Sequence, residues 1–87
     1  MGGPSYDYSG REISKAMVNS SVGWVPVRQT GSHMILKWDP PVSHDTEPRT
    51  VSIPMHDSIP IGTLDDISED AGAEELEEFC KWIESNL

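Results

Sequence analysis

Residues 28–38 form the sequence RQTGSHMILKW, and this stretch decides the predicted fold. Two runs typical of β-strands, at 24–29 and 33–38, flank a turn at Gly31 and Ser32, where glycine accepts the positive φ angle that tight hairpin turns use. In the second run two sets of side chains alternate and therefore face opposite sides of a sheet: Met34, Leu36 and Trp38 in one set, His33, Ile35 and Lys37 in the other. We predict an antiparallel hairpin with one apolar face.

A helix is predicted before the hairpin. Ser9 and Glu12 have the spacing of a capping box, in which each side chain accepts a hydrogen bond from the backbone of the other residue. Apolar residues at helical spacing follow, so we predict a helix over 10–20. Pro26 has no N–H to donate to a neighbouring strand, which places the first strand at an edge or at a bulge.

A third strand and two further helices are predicted after the hairpin. A proline-rich loop over 39–48 leads to a strand over 49–53, and a second loop, 54–60, follows. The second helix is predicted to start with Thr63 as N-cap and Asp65 and Asp66 in its first turn, and to end at residues 71–72. Its apolar side holds Ile61, Leu64 and Ile67.

The last helix is predicted over 74–86, because its apolar residues form one stripe: Leu76, Phe79, Cys80, Ile83 and Leu87. The resulting order is α-β-β-β-α with an extra C-terminal helix, an α+β fold with a three-stranded antiparallel sheet. Helices cover one face of the sheet and leave the other open, in outline a double-stranded-RNA-binding fold. We expect residues 1–8 to be a disordered tail and residues 9–87 to be a single domain.

The formal net charge of −9 argues at first against nucleic acid as a partner. Residues 65–87, however, hold nine of the 15 acidic residues and one of the six basic residues, so the rest of the chain is close to neutral. Acidic C-terminal helices that repel anionic partners are one explanation, and the acidic proteome of a salt-loving organism, which we favour, is the other.

The sequence argues against several kinds of site. The single cysteine, Cys80, excludes an intramolecular disulfide and a paired-cysteine metal site, and it fits a small core residue. The three histidines lack the spacing of metal ligands, so no metal is expected. No apolar run reaches transmembrane length, and we expect a cytoplasmic protein without a membrane partner.

Four segments carry a family resemblance, and their residues and sequences are 27–33 VRQTGSH, 51–56 VSIPMH, 61–67 IGTLDDI and 71–72 AG. In this order and spacing they resemble the HicA toxin family, the YcfA-like proteins. That family has a G-S-H turn, a strand ending in P-x-H, a G-T-L helix start and an A-G stop. This chain departs from it in being acidic and in having residues 57–60, DSIP, where many members carry lysines.

The resemblance implies an mRNA-cleaving toxin that needs no metal or cofactor and is silenced by a HicB-type antitoxin covering the His33 side. The family's catalytic histidine falls on His33. Cleavage of this kind needs a base for the 2′-hydroxyl, an acid for the leaving oxygen and donors for the phosphorane, and histidine titrates near working pH. We expect auxiliary roles for Ser32 and His56. Four residues are expected to bind RNA: Arg28, Gln29, Gly31 and Lys37.

Three alternatives stay open at this point. The domain is an RNA-binding or protein-interaction module without catalysis, or it is a degenerate toxin that has lost basic residues. For His56, the alternative is a loop histidine that hydrogen-bonds to its own turn. We expect no catalytic role for His44, and we place Trp24 and Trp82 mainly in the core, with Trp38 either there or stacked on bases. The sequence does not set the oligomeric state.

Overall fold

Three helices and three strands make up the part of the chain that the structure, a computed structural model, describes: residues 6–40 and 47–87. In chain order they are α1 Gly10–Asn19, β1 Val25–Thr30, β2 His33–Trp38, β3 Arg49–Pro54, α2 Ile61–Asp70 and α3 Leu76–Ser85. The strands form one antiparallel sheet in the order β1-β2-β3. The predicted α+β fold, with its extra C-terminal helix, is confirmed.

Helix α1 begins with the predicted capping box. The Glu12 N–H donates to the Ser9 hydroxyl at 3.1 Å, and the Ser9 N–H donates to the Glu12 carboxylate at 2.9 Å. Both bonds satisfy backbone donors that the first helical turn leaves unpaired. The apolar stripe at Ile13, Ala16 and Met17 is fully buried. The hydrophobic period thus directs this face of α1 into the core.

The hairpin of β1 and β2 closes through the two-residue turn at Gly31 and Ser32. Gly31 has φ +58°, and no atom lies within 4 Å of the position where its Cβ would be. Glycine is therefore required here for its conformation and not for space. The register of the ladder shifts between Pro26 and Arg28, and β1 lies at the edge of the sheet. Pro26 is predicted to place its strand at an edge or at a bulge, and the structure shows both.

The two faces of the sheet differ as the alternation predicts. Leu36, Val51 and Ile53 are buried beneath the helices, whereas His33 and Lys37, on the other face of β2, are exposed. Helices α1 and α2 pack on β3, and α3 packs on α1 and α2. The second face is left without a helix in the described part of the chain, and we call it the open face.

Helix α2 starts three residues before the predicted position. Pro60 is its N-cap residue, and the Leu64 N–H donates to the Pro60 carbonyl at 2.9 Å. The φ of −57° and ψ of 148° at Pro60 are non-helical, as is usual for an N-cap residue, while its carbonyl accepts the first bond of the helix. The prediction of Thr63 as N-cap is therefore wrong, because Thr63 lies inside the helix and no side chain caps it.

Two details of the helix predictions change with this start. Asp65 and Asp66 lie beyond the first turn of α2, where the helix dipole favours them less. Ile61 is 59% exposed and Leu87 is 51% exposed, so neither apolar stripe extends to its predicted end. The central members of both stripes are buried: Leu64, Ile67, Phe79, Cys80 and Ile83.

The disordered tail expected over residues 1–8 extends too far, because its last residue is buried. Tyr8 is 3% exposed, and its hydroxyl donates to the Glu84 carboxylate at 2.9 Å and lies 3.3 Å from the Cys80 carbonyl oxygen. Contacts with α3 therefore make Tyr8 part of the core. The sequence around Tyr8 is polar and does not indicate these long-range contacts. Residues 1–5, and the loop residues 41–46 with His44, lie outside the described part.

Cys80 is a core residue, as predicted. It is fully buried and unpaired, and burial, with a smaller contribution from the Glu84 carboxylate, raises the pKa of its thiol from 9.0 to about 11. The thiol stays protonated at neutral pH and is a poor nucleophile. Across the described ranges, no helix has both the length and the apolar character needed to span a bilayer.

Candidate active site

The structure places His33 at the first position of β2, directly after the hairpin turn, with an exposed side chain. Its cross-strand neighbours are Thr30 in β1 and Pro54 in β3. His33 thus lies in the central strand at one end of the open face, where a ligand can approach it from solvent.

The hairpin turn is attached to the third strand. The Met55 N–H, one residue beyond β3, donates to the Ser32 carbonyl at 2.6 Å. No hydrogen bond of the Gly31 or Ser32 N–H groups occurs among the turn and loop contacts of the described residues. Free N–H groups in a turn are ready donors for an anion, and the missing side chain of Gly31 lets one come close.

Two further contacts bring His56 to the same end of the sheet. The Gly10 N–H at the start of α1 donates to the His56 carbonyl at 3.0 Å, and the Ile59 N–H donates to the Tyr8 carbonyl at 2.9 Å. Because the backbone of this loop is held on α1 and on the hairpin turn, the His56 backbone lies at the same end of the sheet as His33, and its side chain is exposed. Among the described residues, the His56 side chain makes no hydrogen bond to its own turn.

The two cations expected beside His33 have different positions. Arg28 pairs with Ile35, so it lies on the open face one step from the His33 pair. Lys37 shares that face but is four residues along β2, about 13 Å away. Lys37 also forms an exposed ion pair with Asp39 at 3.6 Å. Arg28 therefore remains a neighbour of His33, whereas Lys37 does not.

Gln29 lies on the side of the sheet away from His33. It pairs with Met34, on the helix side of the sheet, and its Nε2 is 3.5 Å from the Gly31 carbonyl, at the limit of a hydrogen bond. Among the residues expected to contact RNA, Gln29 is best placed to brace the turn. Of these residues, Arg28 and the turn itself can contact a ligand on the open face directly.

Hydroxyl groups on the open face were not singled out in the sequence. Thr30 pairs with His33, Ser52 pairs with Ile35, and all but Ile35 are exposed. These residues extend the polar surface across all three strands. Strand alternation alone could have indicated them once the register of β3 was known, but the length of the loop before β3 left that register open.

The start of α2, which follows the His56 loop along the chain, has unpaired backbone donors of its own. This helix has no side-chain cap, so the first N–H groups, including that of Gly62, have no intrahelical acceptor. Such a terminus carries a partial positive charge that favours anions. The described residues include no group of three or more histidine, cysteine, aspartate or glutamate side chains that could hold a metal ion.

A family model described as "HicA toxin of bacterial toxin-antitoxin" matches residues 10–73, well over half of the chain. The chain belongs to the HicA toxin family. It is therefore a toxin of a toxin–antitoxin pair. No curated protein and no solved structure matches it significantly. Within this HicA family member the match runs from α1 to the end of α2 and includes the turn with His33, whereas α3 lies outside it.

Proposed function

We propose that this toxin is an RNA endonuclease, an mRNA interferase, that uses His33 and needs no metal. The observation that supports it best is the exposed imidazole beside a turn with free N–H donors, within the family match. A general base next to preorganised anion donors is the arrangement that phosphodiester transfer requires. Since its substrate is mRNA, we place the activity in the cytoplasm.

The proposed reaction is a transesterification within the RNA chain. The neutral imidazole of His33 takes the proton of a ribose 2′-hydroxyl, and the 2′-oxygen attacks the adjacent phosphorus. The bond from phosphorus to the 5′-oxygen breaks, and that oxygen takes a proton from an acid. The products are a 2′,3′-cyclic phosphate and a 5′-hydroxyl. The Gly31 and Ser32 N–H groups stabilise the negative charge of the phosphorane.

His56 is our candidate for the acid, because its loop is held on the turn that precedes His33. Arg28 is the candidate for the contact with a neighbouring phosphate, and Ser32 supplies a hydroxyl on the turn. The antitoxin, a HicB-type protein, is proposed to cover the His33 side and so to exclude RNA.

Cleavage in the presence of EDTA tests the proposal directly. The purified toxin, free of antitoxin, is incubated with a labelled mRNA fragment in excess EDTA, and the product ends are analysed. We expect cleavage to persist and to leave 2′,3′-cyclic phosphate, because the base and the donors all come from the protein. Intact RNA at both low and high salt, or cleavage abolished by EDTA, contradicts this mechanism.

A non-catalytic RNA-binding or protein-interaction module is the second candidate. It is favoured by the net charge of −9 and by the ion pair that occupies Lys37, which leave few cations to hold RNA. A degenerate toxin has the same features. In the EDTA experiment either alternative gives RNA that is not cut, and retarded migration of RNA on a gel then identifies the binding module.

The positions of the two cations predict unequal effects on RNA binding. Arg28→Ala is expected to raise KM about three- to tenfold, because it removes a cation close to the proposed phosphate path. Lys37→Ala is the matched control, with the same loss of one charge on the same face, and should change KM less than about twofold. Cleavage rates at several RNA concentrations give both KM values. Equal changes in KM for the two substitutions would contradict the proposed path of the RNA past Arg28.

A further inference from the structure

A second concave surface lies between α3 and the rest of the domain. It encloses about 250 Å³ and is lined by aromatic side chains at Trp24, Phe79 and Trp82, with the loop at 71–73 as its floor and Glu74 and Glu78 among its lining residues. We call it the distal cleft. Because α3 lies outside residues 10–73, this cleft depends on a helix that the family match does not include.

The distal cleft is at the opposite end of the sheet from His33. The Trp38 indole N–H, at the end of β2, donates to the carbonyl of Val22 at 3.1 Å, and Val22 lines the cleft. Arg49, at the start of β3, lies against Gly72 in its floor. His33 and Trp38 are five residues apart along β2, about 17 Å. An occupant of the cleft therefore leaves the hairpin turn open.

The two carboxylates of the cleft, Glu74 and Glu78, outnumber the one cation beside it, the Arg49 guanidinium that lies against Gly72. The two ion pairs in the described part of the chain are Lys37–Asp39 and Lys81–Glu77, so Glu74 and Glu78 are both exposed without a cationic partner. Their negative charges repel a nucleic acid. A lysine or arginine side chain, in contrast, has an apolar stem for the half-buried Trp82 ring and the exposed Val22, and a charged end for the carboxylates.

We propose that the distal cleft receives a lysine or arginine side chain carried on an apolar segment of the antitoxin. The proposal rests on the toxin–antitoxin pairing that the family match establishes, and it does not depend on RNA cleavage. The antitoxin then has a second point of attachment, remote from the His33 side that it is proposed to cover. Two linked contacts hold a partner more tightly than either one alone.

The probes for this site are short peptides, titrated into the full ¹⁵N-labelled chain and followed by NMR. One peptide is acetyl-Leu-Arg-Leu-amide, and the other has citrulline, which is uncharged and nearly the same shape, in place of arginine. We expect the arginine peptide to shift the Trp82 indole resonance saturably and to bind at least about threefold more tightly than the citrulline peptide. Resonances of the Gly31 turn should not move.

A pair of double variants tests the carboxylates. Glu74→Gln with Glu78→Gln is expected to weaken binding of the arginine peptide about three- to tenfold. Asp65→Asn with Asp66→Asn removes the same charge from exposed positions on α2 that do not line the cleft, and it should change the affinity less than twofold.

Two results overturn the proposal: equal affinity for the arginine and citrulline peptides, or equal losses in the two double variants. Shifts at the Gly31 turn in place of Trp82 would also overturn it. RNA cleavage by the same variants is measured separately and is expected to be unchanged. A protein that never cleaves RNA, but binds the arginine peptide through Glu74 and Glu78, would disprove the proposed enzyme and leave this inference intact.

Discussion

Replacement of His33 by alanine is expected to lower the rate of RNA cleavage by about 10²- to 10⁴-fold, the range that one general acid or base contributes. Growth arrest on expression should disappear with it. Since the side chain is exposed at the end of a strand, the free energy of unfolding should change by less than about 0.5 kcal/mol. Single-turnover cleavage and urea unfolding of the same preparation measure the two quantities.

Two other histidines provide controls for this experiment. His44→Ala should cleave at the wild-type rate, because we expect no catalytic role for His44. His56→Ala separates the two interpretations of that residue. If His56 is the acid, the substitution should lower the rate at least tenfold and flatten one limb of the pH–rate profile. If His56 is a loop histidine without a role, the rate and the profile should be unchanged.

One result would contradict the assignment of His33 as the general base. If His33→Ala folds normally and stays as toxic and as active on RNA as the wild type, the base lies elsewhere. If both proteins are inactive on RNA but arrest growth equally, the toxin acts by another route. A variant that is inactive and also unfolded decides nothing by itself, so His33→Gln, which retains a polar side chain of similar size, is measured beside it.

Replacement of Gly10 by alanine is expected to destabilise the protein by about 3 kcal/mol, at the upper end of the range for overpacking. A Cβ at Gly10 would collide with the carbonyl oxygen of Pro54 and approach the Cα of Met55 within 2.9 Å. Both atoms belong to the backbone, so no rotation of a side chain can relieve the contact. Urea unfolding followed by circular dichroism gives the change in free energy of unfolding.

Gly62→Ala is the matched control, also at the beginning of a helix. No atom lies within 4 Å of its Cβ position, so we expect a gain of about 0.4–1 kcal/mol from the reduced freedom of the unfolded chain. A loss at Gly62 equal to that at Gly10 would show that helix starts in general disfavour alanine here. The close approach of α1 to β3 would then not be the cause.

The same contact at Gly10 links stability to the candidate site. The Gly10 N–H holds the His56 carbonyl, and the neighbouring Met55 N–H holds the Ser32 carbonyl. A displacement of α1 would therefore move the His56 loop and the turn before His33 together. We expect a destabilised but folded Gly10 variant to lose cleavage activity at temperatures well below its unfolding midpoint.

The position of the acidic residues bears on both surfaces of the molecule. Most of the negative charge belongs to residues 65–87, and α3 places part of it at the distal cleft, at the end of the sheet away from His33. The charge therefore does not by itself exclude RNA from the open face. The explanation of the overall acidity by a salt-loving organism stays a prediction.

The sequence by itself determined the local elements. The capping box at Ser9 and Glu12, the Gly31 turn, the alternation along β2 and the edge position of the Pro26 strand each depend on residues within a few positions of one another. Helix ends, hairpin turns and strand faces are set by such short-range geometry. The same locality made His33 conspicuous, since the turn and its histidine are contiguous, and the family resemblance draws on the same short motifs.

Only the tertiary structure decided the features that depend on distant residues. Tyr8 enters the core because α3 supplies its partners, and His56 lies near the hairpin turn because α1 and the turn hold its loop. Lys37 is separated from His33 by the length of the strand, and the distal cleft exists only where α3 meets the loop after α2. Contacts between residues far apart in the chain leave no local pattern, so packing and strand register had to reveal them.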